Sequence, residues 1–234
     1  IIVPAMPDTP APAVQVPTAR SRRWLLRTGA GVGALVAGLR PALAYAADVA
    51  ARLGAPVSEY GSRARFERAV RILGNPRQPQ ATASFTPLAD LHGIITPSSL
   101  HFERHHAGVP ELDPARHTLT IDGLVERPLT FSLDELQRMP TVSRIFFLEC
   151  SGNTSGEWRG ANATSVQRSH GLTSCSEWTG VRLATLLQEC GVRRDAAWVL
   201  AQGADAARVA RSVPMAKVLD DVLVAWGQNG EALR

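Results

Sequence analysis

The sequence predicts an α+β fold, and three observations carry the prediction. Strand-like runs such as "HTLTIDG" (117–123), "SRIFFLEC" (143–150), "AAWVLAQG" (196–203) and "VLVAWGQNG" (222–230) outnumber the helical ones modestly. The helical segments carry their own boundary signals, a capping box in one and a glycine stop in another. With 45% hydrophobic and 20% charged residues over 234 positions, the chain has the composition of an ordinary globular protein with room for one large domain or two small ones. There are no internal repeats, and no glycine-rich phosphate loop follows a strand.

The elements follow in order. "HTLTIDG" alternates and ends in glycine, as a half-buried strand does. "FSLDELQRMP" (131–140) opens with Ser132-x-x-Glu135, a capping box, and is closed by Pro140. In "SRIFFLEC", Phe146, Phe147 and Leu148 predict a buried strand with Cys150 at its end, followed at once by the small turn Ser151-Gly152-Asn153. A helix is expected around Leu183 to Glu189, with Cys190 in its last turn before Gly191. A strand over 196–203, a helix after Ser212-Val213-Pro214 and a final strand with the hairpin signal Asn229-Gly230 complete the series.

The net charge of +4 resides wholly in residues 1–44, where five arginines stand against Asp8. No basic face with interleaved aromatics remains elsewhere, so the electrostatic footprint of nucleic-acid binding is missing. Within that segment, "SRRWLLRTGAGVGALVAGLRPALAYA" (21–46) joins Arg22 and Arg23 to a short apolar stretch and small residues in A-x-A form at 42–44 or 44–46. The apolar run from Thr28 to Leu39 is too short for a bilayer, which needs about 20 residues. It resembles a twin-arginine export signal, the alternative being a basic amphipathic surface helix. That route carries folded proteins and implies a periplasmic destination and a cofactor loaded beforehand. Residues 1–46 are accordingly expected to be leader and signal, 47–84 a linker, and 85–234 the working domain. The start at Ile1 and the stop at "NGEALR" read as those of a fragment.

Three cysteines, Cys150, Cys175 and Cys190, form no C-x-x-C pair, so neither a disulfide framework nor a zinc knuckle is indicated and at least one thiol is expected free. Cys190 reads as core or cap, and Cys175 stands in a loop-like stretch with no assigned role. Cys150 either packs or does chemistry. Histidines concentrate in "LHFERHHAGVPELDP" (100–114), where His101 and His105 are spaced i, i+4. On a helix, Glu103 would lie roughly 200° from His101, out of reach of a metal-bound water held by the pair, and Gly108 and Pro110 would cut such a helix short. Arg104 beside two imidazoles suits an oxyanion or phosphate instead, because guanidinium donates in a fixed fork.

"FERHHAGVP", "DGLVERPLTFSLDELQRMP", "ECSGN", "WTGVRLATLL", "QGAD" and "RSVP" follow one another in an order and spacing that resembles the sulfite oxidase family of molybdopterin oxidoreductases, above all its bacterial sulfur (sulfane) dehydrogenase branch. The resemblance covers about residues 85–234. It implies a sulfite-oxidase-type molybdopterin-binding domain, with a C-terminal β-sandwich dimerisation domain beyond Arg234. It also implies that Phe102, Glu103, Arg104, His105 and His106 wrap a molybdenum-molybdopterin cofactor, that Arg104 faces the substrate oxyanion, that Cys150 ligates molybdenum and that Asp205 holds the pterin. Arg104 and Cys150 would be the catalytic pair. The family's second anion-binding arginine is replaced by Ser155, and a tryptophan shortly before "WTG" by Arg168. With no C-x-x-C-H in the sequence, electrons are expected to leave to a separate c-type cytochrome subunit. A sulfur-carrier protein as substrate donor and a homodimer or heterotetramer built through the β-sandwich are further implications. The expected reaction oxidises a reduced sulfur group; an S- or N-oxide reductase, or a cofactor-free binding module in which Cys150 merely packs, are the rivals.

Overall fold

The structure, a computed structural model, describes residues 54, 56–160 and 165–233. The leader and signal expected over 1–46, and the start of the expected linker, lie outside the described residues. Two units are distinguished, one up to Arg65 and one from Phe66 to Arg234; all elements below belong to the second.

Three short strands come first: β1 (Ile72–Leu73), β2 (Ala83–Phe85) and β3 (Glu103–Arg104). They form an antiparallel sheet in the order β1-β2-β3, with Ser84 opposite Glu103 and Ala83 opposite Arg104. This sheet draws on residues from both sides of position 85. β4 (Thr118–Ile121) and β5 (Leu129–Ser132) make a hairpin leading into helix α1 (Leu133–Gln137). The expected capping box is present: Glu135 N donates to Ser132 Oγ at 3.2 Å, and Ser132 N donates to Glu135 Oε2 at 2.8 Å.

β6 (Thr141–Glu149) runs antiparallel to β7 (Thr173–Arg182), with the short helix α2 (Val166–His170) in between. β7 feeds α3 (Leu183–Cys190), stopped by Gly191 in the left-handed conformation at φ 68° as the sequence predicts. The hairpin of β8 (Trp198–Gln202) and β9 (Ala210–Pro214) leads into α4 (Met215–Asp220), and β10 (Leu223–Gln228) turns through Asn229 (φ 50°) and Gly230 (φ 79°) into β11 (Glu231–Ala232). The larger sheet has the order β11-β10-β7-β6. Mixed helix and sheet, with strands predominating, is the fold class expected.

Two expectations are corrected. The β6 strand is not buried: Ile145, Phe147 and Leu148 are 54%, 70% and 47% exposed. It is the edge of the larger sheet, paired only with β7 among the described residues, and a run of apolar residues does not reveal how many neighbours its strand has. Cys175, read as loop, lies inside the ten-residue β7 at 1% exposure. β7 was missed because "TSCSEWTGVR" is rich in small polar residues that read as loop; Ser174, Cys175 and Ser176 are buried nonetheless.

One core cluster packs against β7. Phe131, Leu136, Val181, Leu186 and Cys190 form one buried cluster, bringing the β4–β5 hairpin, α1 and α3 against β7. No described helix is long and apolar enough to cross a membrane.

Candidate functional site

Cys150 leaves β6 held by its backbone. Its N–H donates to Leu172 O (3.0 Å), its carbonyl accepts from Asn153 N (3.0 Å), and Gly152 N donates to its Sγ at 3.4 Å. A backbone amide of the turn thus reaches the sulfur itself. The turn leaves through Thr154 at φ 60°, a left-handed conformation that costs a β-branched residue about 1–3 kcal/mol. The thiol is free and partly exposed, whereas Cys175 and Cys190 are free and buried.

Within the Phe102–His106 segment Glu103 and Arg104 form a strand, where a zinc helix would need a helical turn. Along a strand, alternate residues share a face, so Glu103 and His105 meet, with Oε2 and Nε2 3.5 Å apart. Glu103 also pairs with Arg71. Arg104 is exposed, and its Nη1 donates to the carbonyls of Thr82, at 3.4 Å, and His105. His106 is exposed as well. His101, 8% exposed, donates from Nδ1 to Phe102 O at 2.8 Å and stands edge-on to Trp178 with ring centroids 5.5 Å apart. Its Nε2 is then left as an acceptor.

β7 brings these two segments together. Ser174 sits opposite Leu148, two residues before Cys150, and its Oγ accepts from Phe102 N at 3.1 Å while sharing a 2.6 Å hydrogen bond with Thr86 Oγ1. The sequence reading missed Ser174 for the same reason that it missed β7. Asp205 stands in the β8–β9 loop and makes no hydrogen bond to the Cys150 or Phe102–His106 segments. Its Oδ1 occupies space that Gly203 keeps open, since a Cβ there would come within 2.7 Å. Ser155 N donates to Gly152 O (3.4 Å), inside the cysteine turn, and the Arg168 guanidinium stacks 5.7 Å from the Phe85 ring centroid.

Among the described residues, three buried side-chain atoms make no hydrogen bond: Ser84 Oγ, His101 Nε2 and His105 Nε2, the last with only the 3.5 Å ion-pair approach to Glu103. All three surround β3. Buried polar atoms are rarely left unpaired in a finished protein, and these three offer hydrogen-bonding positions to a polar group placed beside β3. Together with a free, partly exposed thiol, this fits a cofactor with a soft-sulfur metal and a hydrogen-bonding ring system.

Residues 106–234, more than half of the chain, match the family described as "oxidoreductase molybdopterin binding domain". The chain belongs to this molybdopterin-binding family, the sulfite oxidase family expected from its motifs. The crystal structure of the sulfane dehydrogenase SoxCD from Paracoccus pantotrophus is similar to the domain at 41% identity with a TM-score of 0.74, over 79% of this chain and 49% of that one. Nitrate reductases are similar too. The NADPH enzyme of Phytophthora infestans is 40% identical over 159 residues (63% of this chain, 18% of the relative), and the NADH enzyme of Ulva prolifera 34% over 164 residues (63% and 19%). The chain therefore spans under a fifth of the length of these relatives and about half of the solved chain. The molybdopterin-binding domain carries Cys150 and Asp205 within the matched residues, whereas Phe102, Glu103, Arg104 and His105 precede them.

Proposed function

We propose that this domain belongs to a periplasmic molybdopterin-dependent oxidoreductase that oxidises a reduced sulfur group and passes the electrons to a c-type cytochrome subunit. The likeness to a sulfane dehydrogenase, at 41% identity with a TM-score of 0.74, carries the reading. The cofactor, when bound, supplies two-electron redox chemistry coupled to oxygen transfer. The chain supplies the rest. Cys150 completes a sulfur-rich ligand set, its sulfur oriented by the Gly152 amide. Arg104 holds the anionic end of the substrate, and His105, His106, Phe102, Glu103 and Asp205 hold the cofactor. These 234 residues contain no C-x-x-C-H heme attachment site, and the separate cytochrome is what the likeness to the sulfane dehydrogenase suggests.

The preferred substrate is sulfane sulfur carried on a partner protein. Free sulfite is a small dianion, and a pocket that binds it tightly presents more than one cation, each charge-assisted hydrogen bond contributing about 1.5–3 kcal/mol. Ser155 replaces one such arginine, and Arg168 stacks on Phe85. A second reading, reduction of an oxyanion, has the 40% identity to a nitrate reductase in its favour.

One experiment tests both. With the full-length protein and its cytochrome, cytochrome reduction is expected to run faster on a sulfur-loaded carrier protein than on sulfite, and no nitrate reduction is expected with an artificial donor. A clearly higher kcat/KM for sulfite would make the protein a sulfite dehydrogenase; nitrate turnover would favour the reductase. The parent is expected to carry about one molybdenum per chain, and Cys150→Ser is expected to abolish turnover, a hard alcohol being a poor substitute for thiolate.

A further inference from the structure

The turn that carries Cys150 is built around one side chain. Asn153 is 7% exposed, and every polar atom of its amide is engaged. Its Nδ2 donates to Glu149 Oε1 (2.8 Å), to Thr173 Oγ1 (2.8 Å) and, more weakly, to His170 O (3.4 Å), and its Oδ1 accepts from Leu172 N (3.1 Å). Leu172 O in turn accepts from Cys150 N, and Asn153 N donates back to Cys150 O, each at 3.0 Å. Cys150, Leu172 and Asn153 thus close a ring of hydrogen bonds. The same amide spans the end of β6, the end of α2 and the start of β7, the three pieces of chain that meet beneath the sulfur.

The residue type follows from this pattern. Aspartate has no donor for Glu149 or the His170 carbonyl, and would set carboxylate against carboxylate; glutamine carries its amide one carbon too far. The turn also holds Thr154 at φ 60°, a conformation that persists only where surrounding bonds over-determine it.

We propose that Asn153 is a positioning residue that fixes the direction of the Cys150 sulfur toward the cofactor, without itself touching substrate or metal. The proposal rests on the reading of Cys150 as the molybdenum ligand. A thiolate on a turn held at one end only would sweep several directions, whereas a ring of bonds through a buried amide leaves it one.

The test uses full-length protein prepared with and without molybdopterin. In the cofactor-free protein, alkylation of Cys150 at fixed pH reports how firmly the turn is held, because Cys175 and Cys190 are buried. Asn153→Asp is expected to raise that rate by about ten-fold, the effect of losing buried hydrogen bonds. In the loaded protein it should alter the EPR signal of Mo(V) and lower kcat with little change in KM. The double variant Asn153→Asp/Glu149→Gln restores a donor and an acceptor with their roles exchanged, and should return both the alkylation rate and the EPR signal toward the parent. This rescue excludes general misfolding as the cause. Parental alkylation and EPR behaviour in Asn153→Asp, or failure of the double variant to rescue either, would overturn the proposal. If Cys150→Ser turns over normally while Asn153→Asp still loosens the thiol, the ligand reading fails and the role of Asn153 in holding the turn stands.

Discussion

His101 shows how one side chain carries both stability and pH dependence. Burial, first of all, pulls its pKa below the ordinary value of 6.5, with Arg71 acting in the same direction and the Phe102 carbonyl and Glu103 opposing. The folded protein therefore holds the ring neutral at a pH where the unfolded chain protonates it. The unfolded state then binds more protons, so stability falls as the pH drops through 6.5 and levels off below the folded value. His101→Phe removes this link. Between about pH 7.5 and 5, a window bracketing an ordinary imidazole, the fall in Tm is expected to be smaller in the variant than in the parent, by calorimetry. The cysteines divide in the same manner. Burial pushes the Cys190 thiol up, keeping it protonated as well as covered, while Cys150 is partly exposed. Iodoacetamide at mildly alkaline pH should label native cofactor-free protein at Cys150 alone, read by peptide mass spectrometry; rapid labelling of Cys190 would contradict the packing of α3.

At the scale of elements, local signals were legible and pairing was not. The Ser132/Glu135 box, the Gly191 stop and the Asn229-Gly230 turn were read correctly because each is completed within a few residues of chain. β7 was not, since its buried serines are satisfied from far away: Ser174 by Phe102 and Thr86, and Ser176 by Gln228 Nε2 at 3.0 Å. Gly180 illustrates a constraint that only pairing creates. A Cβ there would lie 2.1 Å from Val224 O and 2.6 Å from Ala225 Cα, beside the irregularity at which β10 shifts register between Ala225 and Gly227. Gly180→Val is expected to lower stability by about 1–3 kcal/mol, several degrees in Tm, with loss of soluble expression as the extreme outcome. An unchanged melting curve would mean that the bulge absorbs the side chain freely.

For the whole molecule, the charge distribution is a matter of sequence, and the proposed export rests on the same segment. All of the net charge of +4 lies in residues 1–44, and Arg22 and Arg23 stand next to one another ahead of the apolar stretch. If a receptor reads that pair, replacing both with lysine keeps charge and hydrophobicity but should hold the protein in the cytoplasm, as fractionation and immunoblotting would detect. Undiminished periplasmic accumulation would point to a general secretory signal and remove the argument for loading the cofactor before export.

Sequence by itself determined the elements whose ends are local, the absence of a nucleic-acid footprint, the family, and the ordered motifs containing Cys150 and the Phe102–His106 segment. Tertiary structure decided which of these meet. Ser174 joins Phe102 to the strand that pairs with Leu148, Asn153 ties Cys150 to two other elements, and β6 is an edge with Phe147 70% exposed where its composition suggested burial. The physical reason is the same in each case. Caps and turns are satisfied by neighbours along the chain, whereas a strand's burial and a buried hydroxyl's or amide's partners are supplied by residues distant in sequence, so no window of neighbouring residues contains them.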